Sequence, residues 1–331
     1  MTLLSLKTTR TSIRFSKAAQ GLSFCASIIL KTHVMKKALL FAIVLLGASQ
    51  LNAQSHFSFA VSKSGYGSPL IFIPGLDCSG GVWDDAVAHF SGEHTCYVLT
   101  LPGFAGQPPV TDSNILGAVV RQLADYIREN HIQRPVIIGH SLGGWVALAL
   151  GVAHPDLVGG LVIVSSAPFL PALSMGADIT VDSAARIGQL IKKGMSGQSP
   201  AQVAASQKMY LHMMIRDSVR IDEVTAMAAR SDQPTQGEIM AELFGEDLRP
   251  SMGRIRCPIL ALADWSAYRT YGATAGSVRT NLTDQYKNLS KANGATLTIA
   301  INDSSKHFIM YDEPQWFYEQ VDHWLPSSRL P

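Results

Sequence analysis

The sequence predicts an α/β fold: a mostly parallel central sheet covered by helices on both faces and interrupted by a helical insertion. Three observations carry this. Short β-branched and apolar runs alternate with segments of helical period through most of the chain, which is the pattern of a parallel sheet buried between helix layers. One junction, Pro135-Val136-Ile137-Ile138-Gly139-His140-Ser141-Leu142-Gly143-Gly144-Trp145, passes from an apolar run through Gly-x-Ser-x-Gly into an Ala- and Leu-rich segment. The stretch 168–250 carries several helical patterns and no strand-like run.

Taken in order, residues 57–62 read as a short edge strand and 69–74 as a buried strand, followed by the loop Pro74-Gly75-Leu76-Asp77-Cys78-Ser79-Gly80-Gly81-Val82-Trp83. A helix reaches about Phe90, and the strand 96–101 ends in Pro102-Gly103-Phe104. Leu116, Val119, Val120, Leu123 and Ile127 share one face of the next helix. After the Ser141 junction comes the strand 161–164, and then helical patterns at 184–194, 200–214, 218–229 and 237–245. Met195, Met209, Met213, Met214 and Met227 fall in that insertion; most of them are expected to fill its core and about a third to line a pocket, since Met suits both roles. Alternation resumes with a strand at 259–262, a helix at 277–291, a strand at 296–300 and a final helix from Pro314 with Phe317, Val321, Trp324 and Leu325 on one side. The domain reading is therefore a core of 54–167 and 251–331 with a cap at 168–250.

The ends and the composition bound the function. The net charge of +2 is misleading, because the first 54 residues hold seven Lys or Arg and no acid. Taking those seven from the 27 in the chain leaves 20 basic against 25 acidic residues, so a nucleic-acid partner is not expected. Met35-Lys36-Lys37, an apolar run from Ala38 to Ala48 and a small-residue tail have the layout of a secretory signal at 35–53. The apolar run is too short to predict a stable membrane span. Residues 1–34 read as an upstream extension, and the mature chain is expected to begin near Gln54 or Ser55 in a secreted or periplasmic protein. Three of the four cysteines, Cys78, Cys96 and Cys257, lie beyond the signal, which makes no disulfide framework. A Cys78–Cys96 pair and free thiols both stay open. No metal site or cofactor is expected, and the oligomeric state is open.

The chemistry centres on Ser141. A Gly-x-Ser-x-Gly turn between strand and helix lifts one hydroxyl clear of the sheet edge, and the N–H of Leu142, opening the helix, can face a developing oxyanion. A serine hydroxyl needs a base at neutral pH. Of ten histidines, His307 follows the last predicted strand, where chain order places a base. His140 is expected to face the wrong way, and His94, His131 and His154 read as surface or boundary residues. Trp83, Trp145 and Trp265 are expected to pack near the site rather than touch substrate.

On these motifs, with Pro74-Gly75-Leu76, Gly80-Gly81, Trp83, Leu101-Pro102-Gly103-Phe104 and His307-Phe308, the chain resembles the α/β-hydrolases with a helical cap over roughly 57–326. The resemblance implies an acyl-enzyme on Ser141, water activation by His307, a second oxyanion donor at the Leu76 N–H, and a small ester or amide as substrate. The His that usually opens the first loop is Pro74 here. The resemblance also implies an acid past the strand beginning at Pro258. Asp264 stands about three residues early for that role, and Asp303, four before His307, is the alternative. The irregular acid leaves a second reading, a non-catalytic small-ligand-binding protein on the same fold.

Overall fold

Seven strands form one sheet: β1 Ala60–Gly65, β2 Ser68–Ile73, β3 His94–Thr100, β4 Val136–His140, β5 Gly160–Val164, β6 Ile259–Asp264 and β7 Leu297–Asn302. Their order across the sheet is β1-β3-β2-β4-β5-β6-β7; only β1 runs antiparallel to its neighbour. The computed structural model describes residues 57–195, 200–266, 272 and 274–328. Phe57–Pro331 make one unit, and the extension and signal expected at 1–34 and 35–53 lie outside the described residues.

The helices are α1 Asp84–Phe90, α2 Ile115–Glu129, α3 Leu142–Ala153, α4 Pro171–Met175, α5 Val181–Met195, α6 Pro200–Met214, α7 Ser218–Ala228, α8 Gln233–Gly245, α9 Ala275–Gln285, α10 Ile309–Asp312 and α11 Pro314–Ser328. Alternating strand side chains feed two separate cores, as the two-residue period of a strand requires. Ile71, Ile73, Ile137 and Ile163 meet Val119, Leu123 and Ile127 of α2 and the apolar side of α3 on one face. Leu70, Phe72, Ile138 and Val162 meet Phe90 of α1 and Phe317 and Val321 of α11 on the other. The central strands are buried on both faces, which is why they read as unbroken apolar runs.

Between β5 and β6 lie α4 to α8, the helical insertion. Helices α5 and α8 pack closely because Gly188 is bare: a methyl group there would fall 2.8 Å from Phe244 Cβ and 3.1 Å from Ala241 Cα. Glu242 of α8 ties the insertion to the core. Its two carboxylate oxygens accept from the Ile115 and Leu116 N–H groups at 2.7 and 2.8 Å, satisfying donors at the start of α2 that have no partner inside the helix.

Several boundaries differ from expectation. The edge strand begins at Ala60 rather than 57, since Phe57 and Phe59 stack at 5.6 Å and lean on Tyr126 instead of extending the ladder. Helix α8 starts at Gln233, four residues early, because Asp232 caps it by accepting from the Thr235 N–H, and Pro234 fits the first turn. Helix α9 stops at Gln285 rather than 291. No helix among the described residues is long and apolar enough to cross a membrane.

Candidate active site

Ser141 stands between β4 and α3 with φ 53° and ψ −117°, a conformation costly for a side chain with a Cβ. The surroundings hold it there. Its N–H donates to the Val164 carbonyl at 2.9 Å, and its carbonyl accepts from Gly144 and Trp145 at 2.9 and 3.2 Å. The flanking glycines are required by space: a methyl group on Gly139 would lie 2.2 Å from the Gly143 oxygen, and one on Gly143 would lie 2.3 Å from the Ile73 oxygen. Leu142 begins α3, so its N–H has no acceptor within the helix.

The loop after β2 lies against this turn, with a methyl group on Gly75 placed 3.4 Å from Ser141 Cβ. Leu76 follows, and Cys78 closes the loop by donating its N–H to the Gly75 carbonyl at 3.3 Å. Between them Asp77 is buried at φ 62°. Its Oδ2 accepts from Gln207 Nε2 of α6 at 3.1 Å, and burial pushes its carboxyl up to about 7 against the opposing pull of Gln236, Gln207 and Ser231. Sequence reasoning passed over Asp77. Its signal was an acid inside a loop otherwise made of small and apolar residues.

His307 lies between β7 and α10, buried beside Phe308. The loop that carries it is built from both ends. Asn302 Oδ1 accepts from the Ser304 and Ser305 N–H groups at 2.8 and 2.6 Å, Ser266 donates its hydroxyl to the Ser305 carbonyl, and the Phe308 N–H donates to the Met214 carbonyl of α6 at 3.2 Å. Asp264 ends β6 directly across the register from Asn302 and is 1 % exposed. Its Oδ1 lies 3.9 Å from His307 Nδ1. That is an ion-pair distance, longer than a hydrogen bond, in the loose range that triad contacts often show without substrate. Burial lowers the His307 imidazole below its ordinary 6.5, and the Asp264 charge pulls it back up.

His140 lines the same cavity as Ser141 and His307. Its Nε2–H donates to the His307 carbonyl at 3.1 Å with the rings 4.8 Å apart, and burial holds its imidazole well below the ordinary value, so it is neutral. Asp303 is exposed and accepts from Trp265 Nε1 at 2.9 Å. His94 corrects the sequence reading: it is buried, with Nδ1 2.8 Å from Ser68 Oγ. Trp83 and Trp145 are buried in the two cores. Cys78, Cys96 and Cys257 are free and buried, so Cys78 and Cys96 do not pair.

Ser141, His307, Leu76 and Leu142 share the wall of one cavity of about 750 Å³, and Asp264 stands behind His307. The far wall belongs to the insertion. Met195, Met213 and Met214 line it, while Met209 is exposed, so more of the insertion's methionines face the cavity than the core-filler expectation allowed. Among the described residues no group of three or more His, Cys, Asp or Glu side chains could hold a metal ion.

Residues 70–320 match the family model described as the alpha/beta hydrolase family. A pimeloyl-[acyl-carrier protein] methyl ester esterase of Vibrio cholerae is 26% identical over 264 residues, 78% of this chain and 94% of that protein. Among solved structures, the enol-lactonase from Burkholderia xenovorans superposes with TM-score 0.63 at 14% identity, covering 81% of this chain and 96% of that one. The esterase from Exiguobacterium antarcticum superposes with TM-score 0.63 at 13% identity, covering 81% and 95%. At those identities the two structures speak to the fold alone.

Proposed function

The chain belongs to the alpha/beta hydrolase family, and on that premise we propose that it is an exported serine hydrolase that cleaves a small carboxylic ester through an acyl-enzyme on Ser141. The observation that carries this reading is the convergence of Ser141, His307, Leu76 and Leu142 on one cavity, with Asp264 behind the imidazole. The name of the Vibrio relative supports an ester over an amide.

In this reading Ser141 Oγ bonds to the ester carbonyl carbon as its proton passes to His307 Nε2. The oxygen that gains charge is held by the Leu76 and Leu142 N–H groups, each worth about 3 kcal/mol of barrier when well placed. The carbonyl–alkoxy bond then breaks, and the alcohol leaves with the proton from His307. Water, losing a proton to the same nitrogen, attacks the acyl-enzyme; the carbonyl–Oγ bond breaks, His307 returns the proton to Ser141 Oγ, and the acid leaves. Asp264 holds Nδ1–H toward itself and steadies the imidazolium. His307 is suited to start this cycle because burial keeps it unprotonated at neutral pH. Helices α4 to α8 act as the cap that closes the cavity over Ser141.

The test is hydrolysis of a short-chain aryl ester by the parent and by Ser141→Ala. The parent is expected to turn over and the variant to lose nearly all activity with its fold intact. Activity within tenfold of the parent, with contaminating esterase excluded, would refute the assignment. A parent that turns over no ester would bring forward the reading as a binding protein.

A further inference from the structure

Among the described residues the cavity over Ser141 is lined by one carboxyl side chain, and its basic groups are the imidazoles of His140 and His307. Asp77 lines it, one residue beyond Leu76, and among the described residues that line the cavity there is no Lys or Arg. Asp77 is 3 % exposed, and among the described residues its Oδ1 has no partner in hydrogen-bond geometry. The side chain facing it from α8 is Gln236, wholly buried, near enough to act on the carboxyl but with neither amide atom in hydrogen-bond geometry. Oδ2 accepts from Gln207, which is neutral. A carboxyl in this place meets two amides and the Ser231 hydroxyl and, among the described residues, no compensating cation. Ser174, Ser206, Tyr210 and Gln233 add neutral polar groups to the wall, and much of the remainder is apolar and adaptable, with Met175, Met195, Met213, Met214 and Met240 contributed by the insertion.

We propose that Asp77 sets substrate charge, so that the cavity takes esters of uncharged, medium-length aliphatic acids and rejects those whose acyl chain ends in a carboxylate. The physical reason is short. Above pH 7, where the Asp77 carboxyl is ionised, a second negative charge brought into the low-dielectric cavity beside it is repelled, and such a repulsive element discriminates more sharply than added contacts do. The acyl chain itself is held by apolar burial against the methionines, whose unbranched side chains fit chains of differing shape. The carboxyl raised to about 7 by burial agrees with an acid that lacks a cationic partner. Asp77 here is a specificity residue, and the inference rests on the hydrolase reading of Ser141 and His307.

Three ethyl esters of matched length separate the effects at pH 8, with ethanol release as the readout: ethyl hexanoate, ethyl 6-aminohexanoate and monoethyl adipate. The expected order of kcat/KM is neutral first, ammonium second and carboxylate last, with the carboxylate on the order of tenfold or more below the ammonium. Apolarity alone would penalise both charged chains alike, so the gap between them reads the sign of the field in the parent protein, without any variant. Asp77→Asn is expected to shrink that gap to within about threefold. Equal rates for the two charged esters, a carboxylate preferred over an ammonium, or a folded Asp77→Asn that keeps the full gap would each overturn the proposal. Failure of all three esters, together with an unreactive Ser141, would overturn the hydrolase reading and this inference with it; turnover of ethyl hexanoate with no charge preference removes only the inference.

Discussion

At the scale of single residues, the acid decides whether the site is a triad. Asp264 Oδ1 is 3.9 Å from His307 Nδ1, whereas Asp303 is held outside by the Trp265 indole. Asp264→Asn is therefore expected to lower kcat by about 10⁴-fold, as the wrong imidazole tautomer does in a serine protease whose triad Asp is replaced by Asn, and Asp303→Asn to change it little. The reverse ranking would move the role to Asp303. Near-parental rates in both would mean a serine–histidine pair working without a carboxylate. The pH profile belongs to the same experiment. His307 must be unprotonated to act, so activity is lost as pH falls through its value, and burial places that acid limb below 6.5. Ser141 and His307 were legible because a strained turn and a chain order leave marks in sequence. Asp264 was legible only as a choice between two acids. What separates them is register: β6 runs on to residue 264, opposite Asn302 at the root of the histidine loop, and strand ends are weakly encoded. The place of His140 in the cavity wall and its hydrogen bond to the His307 carbonyl, which joins residues 167 apart, leave no local trace in the sequence.

At the scale of elements, the insertion is joined to the core by many polar contacts, among them Arg216 to Asp312 and Glu313, Lys306 to the His212 and Ile215 carbonyls, and Glu242 to the start of α2. Glu242 supplies both acceptors for the first N–H groups of α2, a cap given by another helix rather than by the residue before the first turn. Glu242→Ala is expected to cost about 1–2 kcal/mol, the usual range for a lost helix cap, and Glu242→Gln less, since an amide keeps one acceptor. Thermal unfolding of the three proteins measures this. An unchanged Tm in Glu242→Ala would show that water replaces the carboxylate without loss. Helix periodicity located α5 to α7 well and mistook the start of α8. Pro234 looks like a breaker when read alone, and becomes a first-turn residue once Asp232 is recognised as the cap.

At the scale of the whole molecule, the alternation of strands and helices and the run of helices between β5 and β6 were present in the apolar pattern. That pattern is set by burial on two faces, and burial is what sequence records most strongly. The lining of the cavity was not legible in the same way. Met195, Met213 and Met214 reach it from two helices whose mutual packing depends on tertiary contacts. The proposed export is a property of the whole chain too: the exported protein is expected to begin near Gln54 or Ser55, and intact mass with N-terminal sequencing reads this directly. An N-terminus that retains Met35 would refute cleavage there.

The central claim is that Ser141 is a nucleophile activated by His307. A fluorophosphonate probe tests it without knowledge of the substrate, because it reacts with a serine only where a base removes the proton. The full-length parent is expected to gain one adduct, mapped by peptide mass spectrometry to Ser141, with labelling lost in Ser141→Ala and slowed by at least about a thousandfold in His307→Ala. An unlabelled parent, an adduct on another serine, or equal labelling rates with and without His307 would contradict the account.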